Sequence, residues 1–162
     1  MTMAPVPFRK HQRGVAAVEF GLLIIPLTLM LFGLAEYGRA IYQYNTLVKA
    51  TRDATRYLTT VAPGTSEEIV ECLVLYGEQA PGCPDNDPAD PNPAVLAPYL
   101  TKNMVSISGS VVDVDGNAVN LVTVTISGYR FNSLINFPIG GLSVGAPDIT
   151  FGDISNTMRQ VL

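Results

Sequence analysis

The hydrophobic positions near the N-terminus form one long run. Residues 20–35 read F-G-L-L-I-I-P-L-T-L-M-L-F-G-L-A and carry no charge. Counted from Val15, the run approaches the about 20 residues that a helix rising ~1.5 Å per residue needs to cross ~30 Å of hydrocarbon. The pattern therefore predicts one transmembrane helix over residues 15–35. Pro26 removes a helical N–H, and we expect it to kink the helix or loosen it locally.

The pattern changes after Ala35 but stays helical. Polar side chains recur at intervals of three and four residues and share one helix face, whereas apolar residues occupy the other face. We predict an amphipathic continuation over residues 36–62 that the A-P-G sequence ends, with a solvated basic face and an apolar face packed on the rest of the chain. The polar face contains Lys49, Arg52, Asp53 and Arg56, and the apolar face contains Tyr44, Leu47, Ala50, Ala54, Tyr57, Leu58 and Val61.

Strand-like alternation dominates residues 104–162. Residues 104–112 and 119–127 alternate between apolar and polar positions, and D-V-D-G-N between them is turn material, so the two runs predict a β-hairpin. Residues 132–146 read as irregular, with Gly140-Gly141 as a flexible point, and a last strand is expected within residues 149–158. A hairpin alone is marginally stable, so it needs the helix as a packing partner. The predicted fold class is α+β, a long N-terminal helix packed on a small antiparallel sheet.

Charge sets the expected orientation and excludes some functions. The net charge is −4, with 48% apolar and 15% charged residues, but Arg9, Lys10 and Arg13 crowd the N-terminus. The positive-inside rule places that end in the cytoplasm and the chain after Ala35 outside the membrane. An acidic outer part argues against nucleic-acid binding, which requires clustered basic residues.

No set of side chains suggests catalysis. The single histidine, His11, lies in the basic leader, so a histidine-dependent triad would be lost if the leader were removed. The sequence contains neither a Walker A loop nor a G-x-G-x-x-G loop, so nucleotide binding is not expected. We therefore expect no enzymatic activity and no cofactor.

The chain's two cysteines, Cys72 and Cys83, lie in residues 63–103. An outer compartment in a bacterium is oxidising, so we expect them to form a disulfide that stabilises this part by roughly 2–3 kcal/mol. Cys72 belongs to a short predicted helix over residues 67–75. The following P-G-C-P-D-N-D-P-A-D-P-N-P segment contains three aspartates that calcium could use, but their spacing fits no EF-hand and a solvated loop is the preferred interpretation. The aspartates are Asp85, Asp87 and Asp90.

A carboxylate at the edge of the apolar run is the most informative feature. Residues 13–20 read R-G-V-A-A-V-E-F, so Glu19 enters the membrane helix five residues after Gly14. A carboxylate in or near hydrocarbon is costly unless it finds a partner. Three alternatives assign it no special role: a glutamate among the lipid headgroups, an uncleaved signal anchor, and a secretory signal cleaved after Ala35 at Gly33-Leu34-Ala35.

The basic leader, Gly14, and Glu19-Phe20 before an apolar run resemble the processing site of type IV prepilins. The resemblance implies that a prepilin peptidase removes residues 1–14 by cutting between Gly14 and Val15. It also implies that Glu19 and Phe20 serve peptidase recognition. Glu19 would then meet the new N-terminal amine of a neighbouring subunit and set the register of assembly.

Two further stretches narrow the resemblance. The E-Y-G-R step at residues 36–39 and the T-R-D-A-T-R step at residues 51–56 resemble the TadE-like family of pilus-assembly proteins, although Thr51 replaces the usual alanine. The family implies a minor pilin-like subunit, or pseudopilin, of a Flp or tight-adherence pilus. Such a subunit sits in the bacterial inner membrane with a periplasmic C-terminal domain. Its partners would be the peptidase, other pilin and pseudopilin subunits, the inner-membrane assembly platform and membrane lipid. The alternative function is an uncleaved, membrane-anchored periplasmic module that binds a ligand or a pilus component.

Overall fold

The computed structural model describes residues 13–62, 64, 67–79, 95–139, 142–145 and 147–160. A long apolar N-terminal helix and a small antiparallel sheet confirm the predicted α+β fold class. A single-turn 3₁₀ segment, Lys102–Met104, precedes the first strand. In chain order the elements are α1 (Arg13–Leu58), α2 (Glu67–Tyr76), β1 (Val105–Val114), β2 (Asn117–Ile126), β3 (Arg130–Phe131), β4 (Asn136–Ile139), β5 (Leu142–Gly145), β6 (Ile149–Thr150) and β7 (Ile154–Arg159).

The described residues group into two compact units. The first unit contains residues 13–37, 134–139 and 142–145, and the second contains the remaining described residues. The helix α1 contributes to both units because the division falls between Tyr37 and Gly38.

The first unit holds the apolar part of α1. Among the described residues, α1 is the one helix that is long and apolar enough to cross a membrane, with a mean hydropathy of 2.3 over its best window and none of that window buried. It runs through Pro26 without a break. The Thr28 hydroxyl donates to the Ile24 carbonyl oxygen at 2.7 Å, which satisfies that polar group inside the helix.

The first unit also contains a short hairpin that the sequence did not predict. β4 and β5 pair antiparallel from Asn136↔Gly145 to Ile139↔Leu142, so the expectation of irregular structure over residues 132–146 is wrong for these strands. The sequence pattern for these strands is weak because each has only four residues. In addition, β4 contains Pro138, which has no backbone N–H to donate to the neighbouring strand.

The second unit contains a three-stranded antiparallel sheet in the order β1-β2-β7. In β2, Val122, Val124 and Ile126 are buried and alternate with half-buried threonines, as the period of two predicts. These residues join apolar positions of α1 and α2 in one core. The core also includes Leu47, Ala54, Leu58, Val70, Leu73, Val74, Leu75, Ala97, Leu100, Tyr129 and Ile154.

The β1–β2 connection is tighter than the sequence indicated. Val114 pairs with Asn117, which leaves only Asp115 and Gly116 in the turn. Both have positive φ, 54° and 80°, as a type I′ turn requires, and Asp-Gly is a preferred pair for that turn. The Asp113 carboxylate accepts the Gly116 N–H at 2.8 Å, so the strands extend to the turn itself.

The C-terminal end of α1 is held by a residue from the end of the chain. Gln160 Nε2 donates to the carbonyl oxygens of Leu58 and Val61 at 3.1 and 2.7 Å. Carbonyl groups in the last turn of a helix have no partner within the helix. Gln160, which is 9% exposed, therefore caps this helix end from the sheet.

Candidate functional site

The predicted cleavage bond, Gly14–Val15, lies at the N-terminal end of the described part of α1. A Cβ atom built on Gly14 would meet nothing within 4 Å, and Val15 is 61% exposed. The packing of the described residues therefore does not require a glycine at this position.

Glu19 and Phe20 lie exposed on the next turn of the helix. Glu19 is four residues after Val15, so the two share one helix face and their Cβ atoms lie roughly 5–6 Å apart. Phe20 and Val18 are each 65% exposed. This part of α1 thus presents one carboxylate within an apolar surface.

That surface continues around and along the helix. None of the residues 14–35 is buried. A helix that is apolar on all sides needs either a protein interior or lipid around it. The most exposed large apolar side chains here are Leu22 (68%), Leu23 (68%), Met30 (76%) and Leu34 (68%).

The E-Y-G-R step marks the end of the apolar run. Glu36 is 4% exposed, and within the first unit its Oε1 accepts the backbone N–H of Leu134 at 2.8 Å. A buried carboxylate requires such donors because its desolvation would otherwise be costly. Glu36 therefore has a defined structural role that the sequence pattern alone did not indicate.

Arg39 makes two contacts within the second unit. Its Nη2 donates to the Asn132 carbonyl oxygen at 2.7 Å. Its guanidinium carbon lies 4.4 Å from the centroid of the Phe131 ring, which is a cation–π contact. A planar guanidinium can stack on an aromatic ring and donate hydrogen bonds at the same time, whereas a lysine ammonium cannot.

The T-R-D-A-T-R step divides into an exposed and a buried face. Lys49, Arg52, Asp53 and Arg56 are exposed, as predicted. Thr51 and Thr55, by contrast, are buried at 1% and 0% exposure, and neither predicted face of the helix included them.

The hydroxyl groups of these two threonines are satisfied inside the core. Thr51 Oγ1 donates to the Leu47 carbonyl oxygen at 2.7 Å. Thr55 Oγ1 lies 2.7 Å from the Thr51 carbonyl oxygen and 3.3 Å from that of Asn156 in β7. Back-bonding to the preceding turn is what allows threonine to take a core position of a helix.

Tyr129 connects the sheet side of the second unit to α1. Tyr129 is 2% exposed, and its hydroxyl lies 3.0 Å from both Gln43 Oε1 and the Pro98 carbonyl oxygen. Both are acceptors, so they compete for one phenolic proton. Burial raises the pKa of Tyr129 to about 12, and the positive charge of Arg39 offsets part of that rise.

Two sequence predictions fall partly or wholly outside the described residues. Cys72 is buried in α2 at 1% exposure, but Cys83 is not described, so their pairing stays a prediction. The acidic proline-rich segment with Asp85, Asp87 and Asp90 also lies outside the described residues.

Comparison with known families matches residues 14–56 to the family described as TadE-like protein. The matched stretch begins at the glycine of the predicted cleavage bond and ends at Arg56 of the T-R-D-A-T-R step. It confirms the resemblance to the TadE-like family and indicates a pilus-assembly-related protein. No curated protein and no solved structure matches the chain.

Proposed function

We propose, from the TadE-like match of α1, that this protein is a minor pilin-like subunit of a Flp or tight-adherence pilus. In this proposal a prepilin peptidase cuts between Gly14 and Val15, and the mature chain is needed to assemble an adhesive pilus. The observation that carries the proposal is the helix itself. It contains the matched motif, carries Glu19 as its single charge between residues 14 and 35, and is unburied over those residues.

Assembly would exchange lipid for other helices. While the protein is anchored, hydrocarbon covers the apolar surface of α1, and in a pilus the helices of neighbouring subunits would cover it. Exposed Val18, Phe20 and Leu22 supply apolar area for that contact. The inner-membrane assembly platform and other pilin subunits are the partners that this exchange requires.

Glu19 would specify the register of that packing. Cleavage creates an ammonium group on Val15, at the positive end of the α1 dipole. A carboxylate among apolar helices is stable only if a positive group reaches it. Pairing of Glu19 with the amine of a neighbouring subunit meets this need in one axial position only, so incorrectly staggered helices are disfavoured.

A complementation assay tests this role. A strain that lacks the gene receives wild type, Glu19→Ala or Glu67→Ala, the last being a control because Glu67 is an exposed acid on α2. We expect all three chains at similar levels in the inner membrane, and we expect pili with wild type and Glu67→Ala only. Wild-type pilus numbers with Glu19→Ala would show that the carboxylate does not set register.

The same assay separates the alternative of an uncleaved binding module. That module would act with its leader attached, and Glu19 would have no assembly partner. Normal pilus function from a Glu19→Ala chain that keeps its leader would favour the module.

A further inference from the structure

The segment between β3 and β6 carries no charge over an unusual length. No Asp, Glu, Lys or Arg occurs between Arg130 and Asp148. Two short strands, β4 and β5, form within it. Leu134, which leads into β4, is 79% exposed, the highest value among the exposed large hydrophobic side chains of the described residues.

The charged residues that flank this segment in the sequence pair with each other within the second unit. Arg130 Nη2 and Asp148 Oδ2 form an ion pair at 3.1 Å, with both side chains partly exposed. Asp148 Oδ1 also accepts the Ser133 N–H at 3.0 Å, which ties the outgoing chain to the returning chain. Between these two charged residues the chain carries no charge.

The hairpin belongs to the same compact unit as the apolar part of α1. Glu36 follows directly after the apolar run that ends at Ala35, and its Oε1 lies 2.8 Å from the Leu134 backbone nitrogen. Leu134 therefore lies at the level where α1 leaves its apolar run. An exposed apolar side chain at this level adjoins the surface that the membrane helix presents to lipid.

We propose that Leu134, Ile135 and the β4 and β5 strands form a second membrane contact, inserted among the lipid headgroups of the leaflet where α1 emerges. The occupant of this surface is lipid because exposed Leu134 is bonded next to the end of the apolar run of α1 and the segment that it opens carries no charge to keep it in water. Its depth is limited by its backbone. A two-stranded hairpin has two open edges, whose polar groups need water or headgroups as partners.

The contact would give the anchor a second point of attachment. A single helix can rotate about its own axis and tilt in a bilayer, whereas a helix plus an interfacial hairpin is held in one orientation. The inference requires the membrane span of α1 and does not depend on pilus assembly or on cleavage.

Tryptophan fluorescence can test this contact because the natural chain contains no tryptophan. Three full-length single-tryptophan variants are reconstituted into phosphatidylcholine vesicles that carry bromine either near the headgroup or near the chain end. Leu134→Trp reports the hairpin, and Leu27→Trp, 58% exposed in the middle of the apolar run, reports the bilayer centre. Val114→Trp is the water control because Val114 is 50% exposed and lies between Asp113 and Asp115.

Interfacial segments insert ~5–10 Å into the membrane surface. Bromine near the headgroup should therefore quench the fluorescence of Leu134→Trp about twofold or more relative to that of Val114→Trp. Bromine near the chain end should quench Leu27→Trp most. Quenching of Leu134→Trp that equals Val114→Trp, with Leu27→Trp quenched, would overturn the hairpin contact alone. A blue-shifted emission of Leu134→Trp that neither bromine position quenches would mean that protein, and not lipid, covers this residue. Absence of quenching of Leu27→Trp would contradict both the membrane span of α1 and the hairpin contact.

Discussion

The carboxylate of Glu36 accepts the backbone N–H of Leu134 at 2.8 Å across a sequence separation of 98 residues. This bond places the start of the hairpin segment next to the last residues of the apolar run. Hydrogen bonds to charged groups contribute about 1.5–3 kcal/mol, so the contact is strong enough to fix the position of Leu134.

Substitution of Glu36 should release that N–H. We predict that Glu36→Ala speeds hydrogen exchange of the Leu134 amide roughly tenfold or more, because 1.4 kcal/mol corresponds to a factor of ten. Glu36→Gln is the matched control because its amide oxygen can still accept the bond. Measurement uses the full chain in lipid nanodiscs with mass-resolved exchange. Equal protection of Leu134 in wild type and Glu36→Ala would contradict this role.

High pH should destabilise the second unit through Tyr129. Its pKa rises from 10.0 in the unfolded chain to about 12 because burial disfavours the phenolate. The folded state therefore holds the proton more tightly. This contribution is complete below pH 10.0, and it is lost as the pH rises through 10.0 towards about 12.

We predict that wild type loses more unfolding free energy than Tyr129→Phe between pH about 9 and pH about 11. Chemical denaturation of the full chain in detergent at both pH values gives the comparison. Tyr99→Phe, at a 62% exposed tyrosine, is the control and should follow wild type. A Tyr129→Phe chain with the wild-type pH dependence would show that the phenol does not couple folding to pH.

Gln160 should contribute to the stability of the fold although it lies near the end of the chain. Loss of its amide leaves the Leu58 and Val61 carbonyl oxygens without this donor, so we predict that Gln160→Ala costs about 1–3 kcal/mol of unfolding free energy. Gln160→Glu should cost at least as much at neutral pH, because it places a carboxylate oxygen against two carbonyl oxygens. Thermal unfolding followed by near-ultraviolet circular dichroism measures both. Wild-type stability of Gln160→Glu would show that the cap does not form.

Local periodicity predicted most of the outer half of α1, although Tyr44, which was assigned to the apolar face, is 44% exposed. The spacing of three and four residues separates exposed Lys49 and Arg52 from buried Leu47 and Ala54, because the helix period fixes which residues share a face. Period-two alternation likewise predicted the buried positions of β2. It could not predict burial of Thr51 and Thr55, since their hydroxyls are satisfied by carbonyl groups of the preceding turn.

No local sequence pattern indicated the polar contacts between residues that are distant in the chain. Gln160 reaches Leu58 across 102 residues, and Tyr129 reaches Gln43 across 86. Neither residue belongs to a motif, and each depends on how the chain folds back on α1. The proposed processing motif could be recognised in the sequence for the opposite reason, because all its parts lie within residues 13–20.

Cleavage between Gly14 and Val15 is the central claim. The direct measurement is intact mass and N-terminal sequencing of the full chain after co-expression with its cognate prepilin peptidase. Gly14→Ala is compared with Gly21→Ala, because a Cβ at either glycine meets nothing within 4 Å and neither change should disturb the fold. We predict that wild type and Gly21→Ala begin at Val15, whereas Gly14→Ala keeps its leader. A wild-type chain that keeps residues 1–14 beside active peptidase, or that begins at Glu36, would contradict the account.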